Sequence, residues 1–259
     1  MINIRSDEEI ALIRLACRIA AEAMEIARDE IKPGITTIEI SEKIKNFIES
    51  RGAKAAFLGY SGFPGAICIS VNAEVVHGIP DERVLSEGDI VKFDIGTYVS
   101  GFYGDMARTF PVGNVSREAS ELTAATEIAL YKALEKAVSG NHIGDIGHIV
   151  QNYVEAKGYN VVRVLVGHGI GRNLHEEPQI PNYGRPGQGP VLKNRMVLAI
   201  EPMVNLGTHK VKTLDDKWTV VTTDGKLSAH FENTCIVRDG FPEILTLMDG
   251  EEKWQKTNQ

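Results

Sequence analysis

The stretch KFDIGTYVSGFYGDMART at residues 92–109 decides the fold class of this 259-residue chain. Alternation along its first part places Asp94 on one face of a strand and the apolar neighbours of Asp94 on the other. The Ser100-Gly101 dipeptide interrupts the pattern and predicts a hairpin of two antiparallel strands. If the hairpin loop has an even number of residues, Asp94 and Asp105 lie on one face of the sheet, opposite or diagonal to each other.

Helical segments precede this hairpin. Ser6 and Glu9 have the spacing of a capping box and open a long amphipathic helix that is predicted to end before Pro33. A second helix is predicted over residues 37–50, and Gly52 is its expected terminator.

The sequence around the second helix recurs 106 positions later. Gly34 falls on Gly140, Gly52 falls on Gly158, and the apolar positions of the two helices coincide, although amphipathic helices that end in glycine share part of this pattern in any case. We therefore predict a duplicated α+β chain with a largely antiparallel sheet and flanking helices. The predicted strands cover residues 66–71, 89–112, 161–166, 197–200, 218–222 and 229–237.

The repeat also predicts the domain organisation. We expect a single catalytic domain over residues 1–259 with two pseudo-symmetric halves, roughly 1–115 and 116–250. The polar segment 251–259 is expected to fray as a tail.

Composition and charge limit the classes of partner. The formal net charge is −7, and lysines and arginines form no cluster, which argues against a nucleic acid or an anionic membrane as the main partner. The three cysteines are odd in number and widely spaced, so they predict neither a disulfide framework nor a zinc–thiolate site. No apolar run is long enough to span a bilayer. We expect a cytoplasmic protein that binds small or peptide ligands.

Acidic residues in the second half interrupt sequence that is otherwise apolar. Glu201 ends the run VLAI, and Glu232 lies within AHFENTCIV. When shifted by 106 positions Asp94 falls beside Glu201, so the repeat predicts that two acid pairs face each other. Asp94 and Asp105 alone are equally compatible with an exposed hairpin. Four buried carboxylates, however, are very costly unless they are neutralised, and two divalent cations carry the compensating charge.

The segment GHGIGRNLHEEP at residues 167–178 supplies a histidine between glycines that permit a close backbone approach. A lone His168 in such a loop is more often a turn residue than a metal ligand, but four acids nearby favour the ligand. An oxygen-rich set with one imidazole suits Mn, Fe, Co or Zn. His77 and His175 are candidates for acid–base or hydrogen-bonding roles.

Five segments carry a resemblance to a known family: VNAEVVHGIP, KFDIGTYVSGFYGDMART, GHGIGRNLHEEP, AIEPM and HFENT. They occur in the same order as the motifs of the methionine aminopeptidases, and the match extends from about Ser6 to Leu247. The chain therefore resembles that family. The resemblance implies the pita-bread fold with duplicated halves around a central antiparallel sheet. It also implies removal of the initiator methionine from nascent proteins when the second residue is small.

The subclass follows from segments that the sequence lacks. The short spacing between Glu201 and Glu232 leaves no room for the helical insertion of type II enzymes. The chain also starts directly at the first helix, without the zinc-binding extension of eukaryotic type I forms. It is thus similar to the short bacterial type I enzymes.

The resemblance implies a role for each metal ligand. Asp94 is the implied chelating acid of one metal, and Asp105 and Glu232 are the implied bridges between two metals. His168 and Glu201 are the implied residues that complete the ligand set of the second metal. The implied chemistry uses a hydroxide that bridges both metals, with Glu201 as the proton shuttle.

The resemblance also implies substrate contacts. His77 and His175 match the two histidines near the scissile peptide. The implied apolar pocket for the first side chain consists of Tyr60, Phe63, Cys68, Leu174 and Trp218. Leu174 stands where the family often has phenylalanine, so the shape of the pocket is expected to differ while its apolar character is kept. Cys68 and Trp218 are also compatible with ordinary core positions.

We expect two divalent metal ions as cofactors: Co, Mn, Fe or Zn. The expected partners are the N-termini of nascent polypeptides near the ribosome, without direct recognition of nucleic acid and without a membrane, and the protein is expected to be a monomer. Two alternatives stay open. One is a proline-specific aminopeptidase of the same fold, and the other is a binding homologue without catalysis.

Overall fold

The computed structural model describes residues 2–256. Its helices are α1 (Asp7–Glu30), α2 (Thr37–Ser50), α3 (Arg117–Leu134), α4 (Ile143–Glu155) and α5 (Lys253–Lys256), with a short 3₁₀ turn at Tyr60–Gly62. Its strands are β1 (Lys54–Ala55), β2 (Cys68–Val71), β3 (Glu74–Val76), β4 (Ile90–Val99), β5 (Phe102–Pro111), β6 (Asn160–Val161), β7 (Gly167–Gly169), β8 (Glu176–Ile180), β9 (Val197–Ile200), β10 (Met203–Asn205), β11 (Val211–Thr213), β12 (Val220–Thr222), β13 (Ser228–His230), β14 (Glu232–Ile236) and β15 (Glu243–Ile244). None of the helices in this part of the chain is long and apolar enough to cross a membrane.

The first two helices have the predicted bounds, and local capping explains them. The Ser6 hydroxyl accepts a hydrogen bond from the Glu9 backbone N–H at 3.2 Å, and the Glu9 carboxylate accepts one from the Ser6 N–H at 3.0 Å. Gly52 follows α2 with a φ of +71°, a left-handed conformation that favours glycine. Helix α3 is an addition to the predicted elements, and much of its buried face is alanine, which gives only a weak periodic signal.

The predicted hairpin is confirmed and forms two strands of a nine-stranded sheet. Ser100 and Gly101 form its two-residue loop with φ values of +52° and +87°, the signs of a type I′ turn. The sheet continues through strands of both halves in the order β1-β4-β5-β14-β9-β7-β8, with β2 beside β4 and β15 beside β14. These strand pairs are antiparallel, as predicted.

The structure contains the duplication that the repeat predicts. Helices α2 and α4 begin at Thr37 and Ile143, and the preceding glycines Gly34 and Gly140 have φ values of +95° and +93°. The first strand after each helix, β1 or β6, starts at the corresponding position of its half. The division into halves at residues 115 and 116 stays a prediction.

Apolar residues on one face of the central sheet pack against the helices. In β4, Phe93 and Ile95 share a core cluster with residues of α1 and α2. In the second half, Leu198 and Cys235 share a cluster with residues of α3 and α4. Because side chains alternate along a strand, the residues between these apolar positions project from the opposite face.

Two predicted strands differ from the observed ones. The strand predicted over residues 161–166 ends at Val161, and Val164 is 76% exposed. The strand predicted over residues 229–237 is interrupted at Phe231, because β13 pairs with β10 in a small sheet, whereas β14 pairs within the central sheet. The prediction of one continuous strand there was wrong.

The last described residues contact the body of the protein. The Arg108 guanidinium donates to the Glu251 carboxylate at 2.8 Å, and the Trp254 ring stacks on Tyr131 with centroids 3.9 Å apart. Residues 251–256 therefore contact the body of the protein, and the fraying of the tail stays a prediction. Residues 257–259 lie outside the described residues.

Candidate metal centre

Strand register places two rows of polar side chains on one face of the central sheet. In the first row, Ala107 lies opposite both Asp94 and Glu232. In the second row, Ala199 lies opposite both His168 and Thr234. The two alanines are small, so the larger polar side chains on either side of them project into a common space.

The remaining acids join this space from neighbouring positions. Asp105 lies opposite Gly96, two residues from the pair that contains Asp94, so the two acids are diagonal neighbours on the same face. Glu201 directly follows β9, and its Oε1 lies 3.5 Å from the His168 Nε2 atom. The structure thus brings Asp94, Asp105, His168, Glu201 and Glu232 to the wall of one cavity.

Three of these residues have donor atoms close enough to share one ion. One ligand atom each from Asp105, His168 and Glu232 lies within 4.8 Å of the others, and all three residues are buried. Asp94 and Glu201 are half-buried beside them. Backbone contacts hold the group in place: the Thr234 hydroxyl donates to the Asp105 carbonyl at 2.7 Å.

Glycines around His168 allow the close approach that the sequence predicts. A side-chain carbon on Gly167 would lie 2.5 Å from the Ala199 carbonyl oxygen, and one on Gly169 would lie 2.3 Å from the Glu177 carbonyl oxygen. Both positions therefore require glycine for the chain to pass the adjacent strands.

Burial disfavours the charged form of every acid in this group. It raises the pKa of Asp94 to about 7, and it raises the pKa values of Asp105, Glu201 and Glu232 well above their ordinary range, with mutual repulsion as the next cause. Burial also lowers the pKa of His168 to about 3, so its ring is neutral and can ligate. Within this group of acids, three carboxylate oxygens are buried without a hydrogen-bond partner: Oδ1 of Asp94, Oδ1 of Asp105 and Oε1 of Glu232.

These properties fit divalent cations. Unsatisfied buried carboxylate oxygens are costly, and a divalent cation supplies both the missing partner and the missing positive charge. Oxygen ligands with one neutral imidazole suit first-row transition metals. The donor set therefore matches the class of metal that the sequence predicts.

The predicted substrate residues line the same cavity. Its apolar wall includes Tyr60, Phe63, Cys68, Leu174 and Trp218, as predicted, and also contains Phe57. The rings of Phe63 and Trp218 meet edge to face with centroids 5.2 Å apart. The cavity holds about 190 Å³ and is open at one end.

Both predicted catalytic histidines lie at this cavity. His77 has a φ of +59°, a left-handed conformation that is uncommon for a side chain with a Cβ and that occurs often at functional sites. Burial and the neighbouring His175 lower the pKa of His77 to about 4, and burial lowers the pKa of His175, so both rings are neutral near pH 7.

Three further neighbours of the site were not among the predicted site residues, although strand alternation placed one of them, His230, on the face of Glu232. Phe57 and Ser61 line the cavity, and His230 lies with its Nε2 atom 3.7 Å from Oε2 of Glu201. Phe57 contacts the site because Gly96 leaves space for its ring: a side-chain carbon on Gly96 would lie 2.5 Å from it. A glycine at mid-strand is the signal that points to such a contact.

The fold and the site together define a metallopeptidase, and the family model described as Metallopeptidase family M24 matches residues 11–239. A methionine aminopeptidase from Clostridium perfringens is 52% identical over 248 residues, which cover 96% of this chain and 100% of the relative. Methionine aminopeptidase 1 from Bacillus subtilis is 51% identical, covering 95% and 99%. A crystal structure of methionine aminopeptidase from Thermotoga maritima has a TM-score of 0.94 at 44% identity, covering 95% and 99%.

The chain belongs to the methionine aminopeptidases of metallopeptidase family M24 and is a metal-dependent hydrolase that uses divalent metal ions. Its relatives at 51–52% identity are bacterial and similar in length, in agreement with the short bacterial form. The pita-bread fold that the resemblance implies is confirmed by the structural match.

Proposed function

We propose that this protein removes the initiator methionine from nascent polypeptides whose second residue is small. The observation that supports the proposal most strongly is the cavity itself. An apolar wall and a group of four acids and three histidines line the same space of about 190 Å³. A space of this size accommodates one apolar side chain and holds the adjoining peptide bond beside the polar group.

The apolar wall suits an unbranched, polarizable side chain. Phe57, Phe63 and Trp218 present ring edges and faces to the cavity, and thioether sulfur makes favourable contacts with aromatic rings. Leu174 and Cys68 add flexible or small surfaces. We propose that methionine is the preferred first residue for this reason.

We propose the following roles for the ligands. Asp94 would chelate one cation, His168 and Glu201 would hold a second, and Asp105 and Glu232 would be shared by both. When bound, divalent cations supply Lewis acidity and lower the pKa of a coordinated water. The number of cations and their identity among Co, Mn, Fe and Zn belong to the proposal.

The chain's own residues then orient the substrate and move protons. Glu201 lines the cavity beside His168, and its carboxylate would accept a proton and return it to the leaving amine. The neutral His77 and His175 offer hydrogen bonds to the carbonyl oxygen of the scissile peptide, where negative charge develops. We propose that the apolar wall holds the first side chain and excludes water from it, so that one residue precedes the scissile bond.

Metal affinity is expected to fall as the pH drops below about 7. In the metal-free protein Asp94 holds a proton up to about pH 7, whereas a metal ligand is ionised. Each proton that must be displaced lowers the apparent affinity about tenfold per pH unit below the pKa. Isothermal titration with Mn²⁺ at pH 6 and pH 7.5, in buffers of different ionisation enthalpy, measures both the affinity and the released protons. Equal affinity at both pH values, without proton release, would contradict this expectation.

Substrate turnover tests the proposed function. The metal-free protein receives Mn²⁺, Fe²⁺, Co²⁺ or Zn²⁺ and is offered Met-Ala-Ser and Ala-Pro-Ala at equal concentrations. Release of methionine with no release of alanine supports the proposal. The reverse preference would establish the proline-specific alternative. Absence of both metal binding and hydrolysis would establish a binding homologue.

The cellular setting is part of the same proposal. We infer that the protein acts in the cytoplasm as a monomer, close to the ribosome, where nascent N-termini emerge. The net charge of −7 and the reduced cysteines are compatible with this setting. We propose neither nucleic acid nor membrane as a direct partner.

A further inference from the structure

Two histidine rings lie side by side in the cavity and have different partners. The ring centroids of His168 and His175 are 4.4 Å apart, and the ring planes are inclined by 68°. The Nδ1 atom of His168 lies 3.0 Å from the Gly169 carbonyl oxygen. The Nδ1 atom of His175 lies 2.8 Å from the Tyr60 hydroxyl. The position of the proton on each neutral ring depends on these partners.

The partner of His168 determines its tautomer. A carbonyl oxygen only accepts hydrogen bonds, so the Nδ1 atom of His168 carries the proton. Its Nε2 atom then has a free lone pair, and this atom lies 3.5 Å from Oε1 of Glu201 among the acids. This is the arrangement that a metal-ligating histidine requires.

The partner of His175 favours the other tautomer. The Tyr60 hydroxyl has one proton to donate, and an imidazole lone pair is a strong acceptor. If Tyr60 donates to Nδ1, the proton of His175 is on Nε2. Within residues 2–256 no side chain bonds to Nε2 of His175, so a proton there is available to a substrate oxygen.

A short hydrogen-bonded turn carries Tyr60. The Gly59 N–H donates to the Phe63 carbonyl at 2.8 Å, and the Phe63 N–H donates to the Tyr60 carbonyl at 2.9 Å. Gly59, Ser61 and Gly62 all have positive φ values, of +79°, +49° and +90°. The turn places the Tyr60 ring beside His175, with ring centroids 5.4 Å apart.

We propose that Tyr60 is a positioning residue that holds His175 in the tautomer with its proton on Nε2. The two neighbouring histidines then offer opposite groups to the cavity, a lone pair from His168 and a proton from His175. The inference rests on the proposed function in one respect: the proton on Nε2 donates a hydrogen bond to the carbonyl oxygen of the scissile peptide. Tyr60 itself needs no contact with the reacting atoms for this role.

The simpler interpretation is that Tyr60 only forms part of the pocket wall. Replacement of Tyr60 by phenylalanine separates the two interpretations, because it keeps the ring and removes the hydroxyl. A wall residue would tolerate this change, whereas a positioning residue would not. Tyr183→Phe provides the matched control, since Tyr183 lies away from the cavity and is 39% exposed.

The first measurement is the tautomer of His175 in the Zn²⁺-loaded full-length protein. Long-range ¹H–¹⁵N correlation spectra of ¹⁵N-histidine-labelled protein show which ring nitrogen carries the proton, and His175→Gln assigns the signals. We expect an unprotonated Nδ1 in the wild type and in Tyr183→Phe. In Tyr60→Phe we expect a mixture of tautomers. A proton on Nδ1 of His175 in the wild type would overturn the proposal without any variant of Tyr60.

The second measurement is steady-state hydrolysis of Met-Ala-Ser. We expect Tyr60→Phe to lower kcat by about tenfold, the range found for partners that orient a functional histidine, with KM changed by less than about twofold. If Tyr60 were only a wall residue, the change would leave both kcat and KM nearly unaltered. Unchanged kcat together with an unchanged tautomer would overturn the proposal. If the wild type does not cleave Met-Ala-Ser, the proposed function fails, and the spectra alone decide the tautomer.

Discussion

Asp105→Asn is expected to lower the hydrolysis of methionyl peptides at least about a thousandfold, corresponding to ~4 kcal/mol of transition-state stabilisation. The asparagine side chain has the same shape but lacks the negative charge that a ligand between two cations supplies. Because Asp105, His168 and Glu232 have donor atoms within 4.8 Å of one another, the same change removes one donor from the group. Peptide turnover and Mn²⁺ titration measure the two effects.

The same variant is expected to be more stable than the wild type without metal. Burial and the charge of Asp94 raise the pKa of Asp105, so the metal-free fold must hold a proton that the unfolded chain releases at neutral pH. Asparagine needs no such proton, and the midpoint of urea unfolding should therefore rise. Asp29→Asn is the control, because the Asp29 side chain is 73% exposed, and it should change neither property. Full activity with normal metal content in Asp105→Asn would exclude Asp105 as a ligand between the cations.

Arg108→Ala is expected to lower the free energy of unfolding by about 3–5 kcal/mol, because it removes one partner of a buried charge pair. The Arg108 guanidinium is 2% exposed and donates to the Glu251 carboxylate and to the backbone carbonyl of Glu232 at 2.6 Å. It also donates to the Asn233 side chain at 3.0 Å. Without it, the Glu251 carboxylate and the other acceptors lose a charged donor in a largely buried environment. Urea unfolding at pH 7 measures the loss.

The control for this prediction is Arg117→Ala. Arg117 forms a surface pair with Glu121 at 2.7 Å, and its side chain is 90% exposed, so a loss of no more than ~0.5 kcal/mol is expected.

Arg108→Ala should also lower metal affinity, because the Glu232 backbone loses a contact that fixes its position. A loss of less than about 1 kcal/mol for Arg108→Ala would show that the pair contributes little to the fold.

The local elements of the fold follow closely from sequence. Helix α2 begins and ends at the predicted residues because its signals act within one turn: Thr36 and Glu39 cap one end, and Gly52 supplies the left-handed residue at the other. The hairpin at Ser100-Gly101 likewise depends on signals from residues that are close together in the sequence. Helix α3 was not predicted because alanines give little contrast between its two faces.

The members of the site were also predictable from sequence. Asp94, Asp105, Glu201 and Glu232 interrupt apolar strands, and the repeat relates the two halves that carry them. Strand alternation then determines the face on which each acid lies. The resemblance added the pocket residues, all of which line the cavity.

Contacts between distant segments were not predictable. Phe57 reaches the cavity over a mid-strand glycine, and Arg108 pairs with Glu251, 143 residues away, in a tail that was predicted to fray. These contacts depend on how whole helices and strands pack against one another. A pattern within a few residues of the sequence contains no information about that packing.

The hairpin around Asp94 and Asp105 shows what the sequence determines and what requires the tertiary structure. The sequence by itself determined the hairpin and the alternation that places both acids on one face if the loop has an even number of residues, and the observed two-residue loop meets that condition. Only the tertiary structure decided that these acids meet His168 and Glu201 in one buried group, and that Tyr60 bonds to His175 across 115 residues. The reason is physical: alternation is a property of one strand, whereas a shared cavity requires the packing of both halves around one sheet.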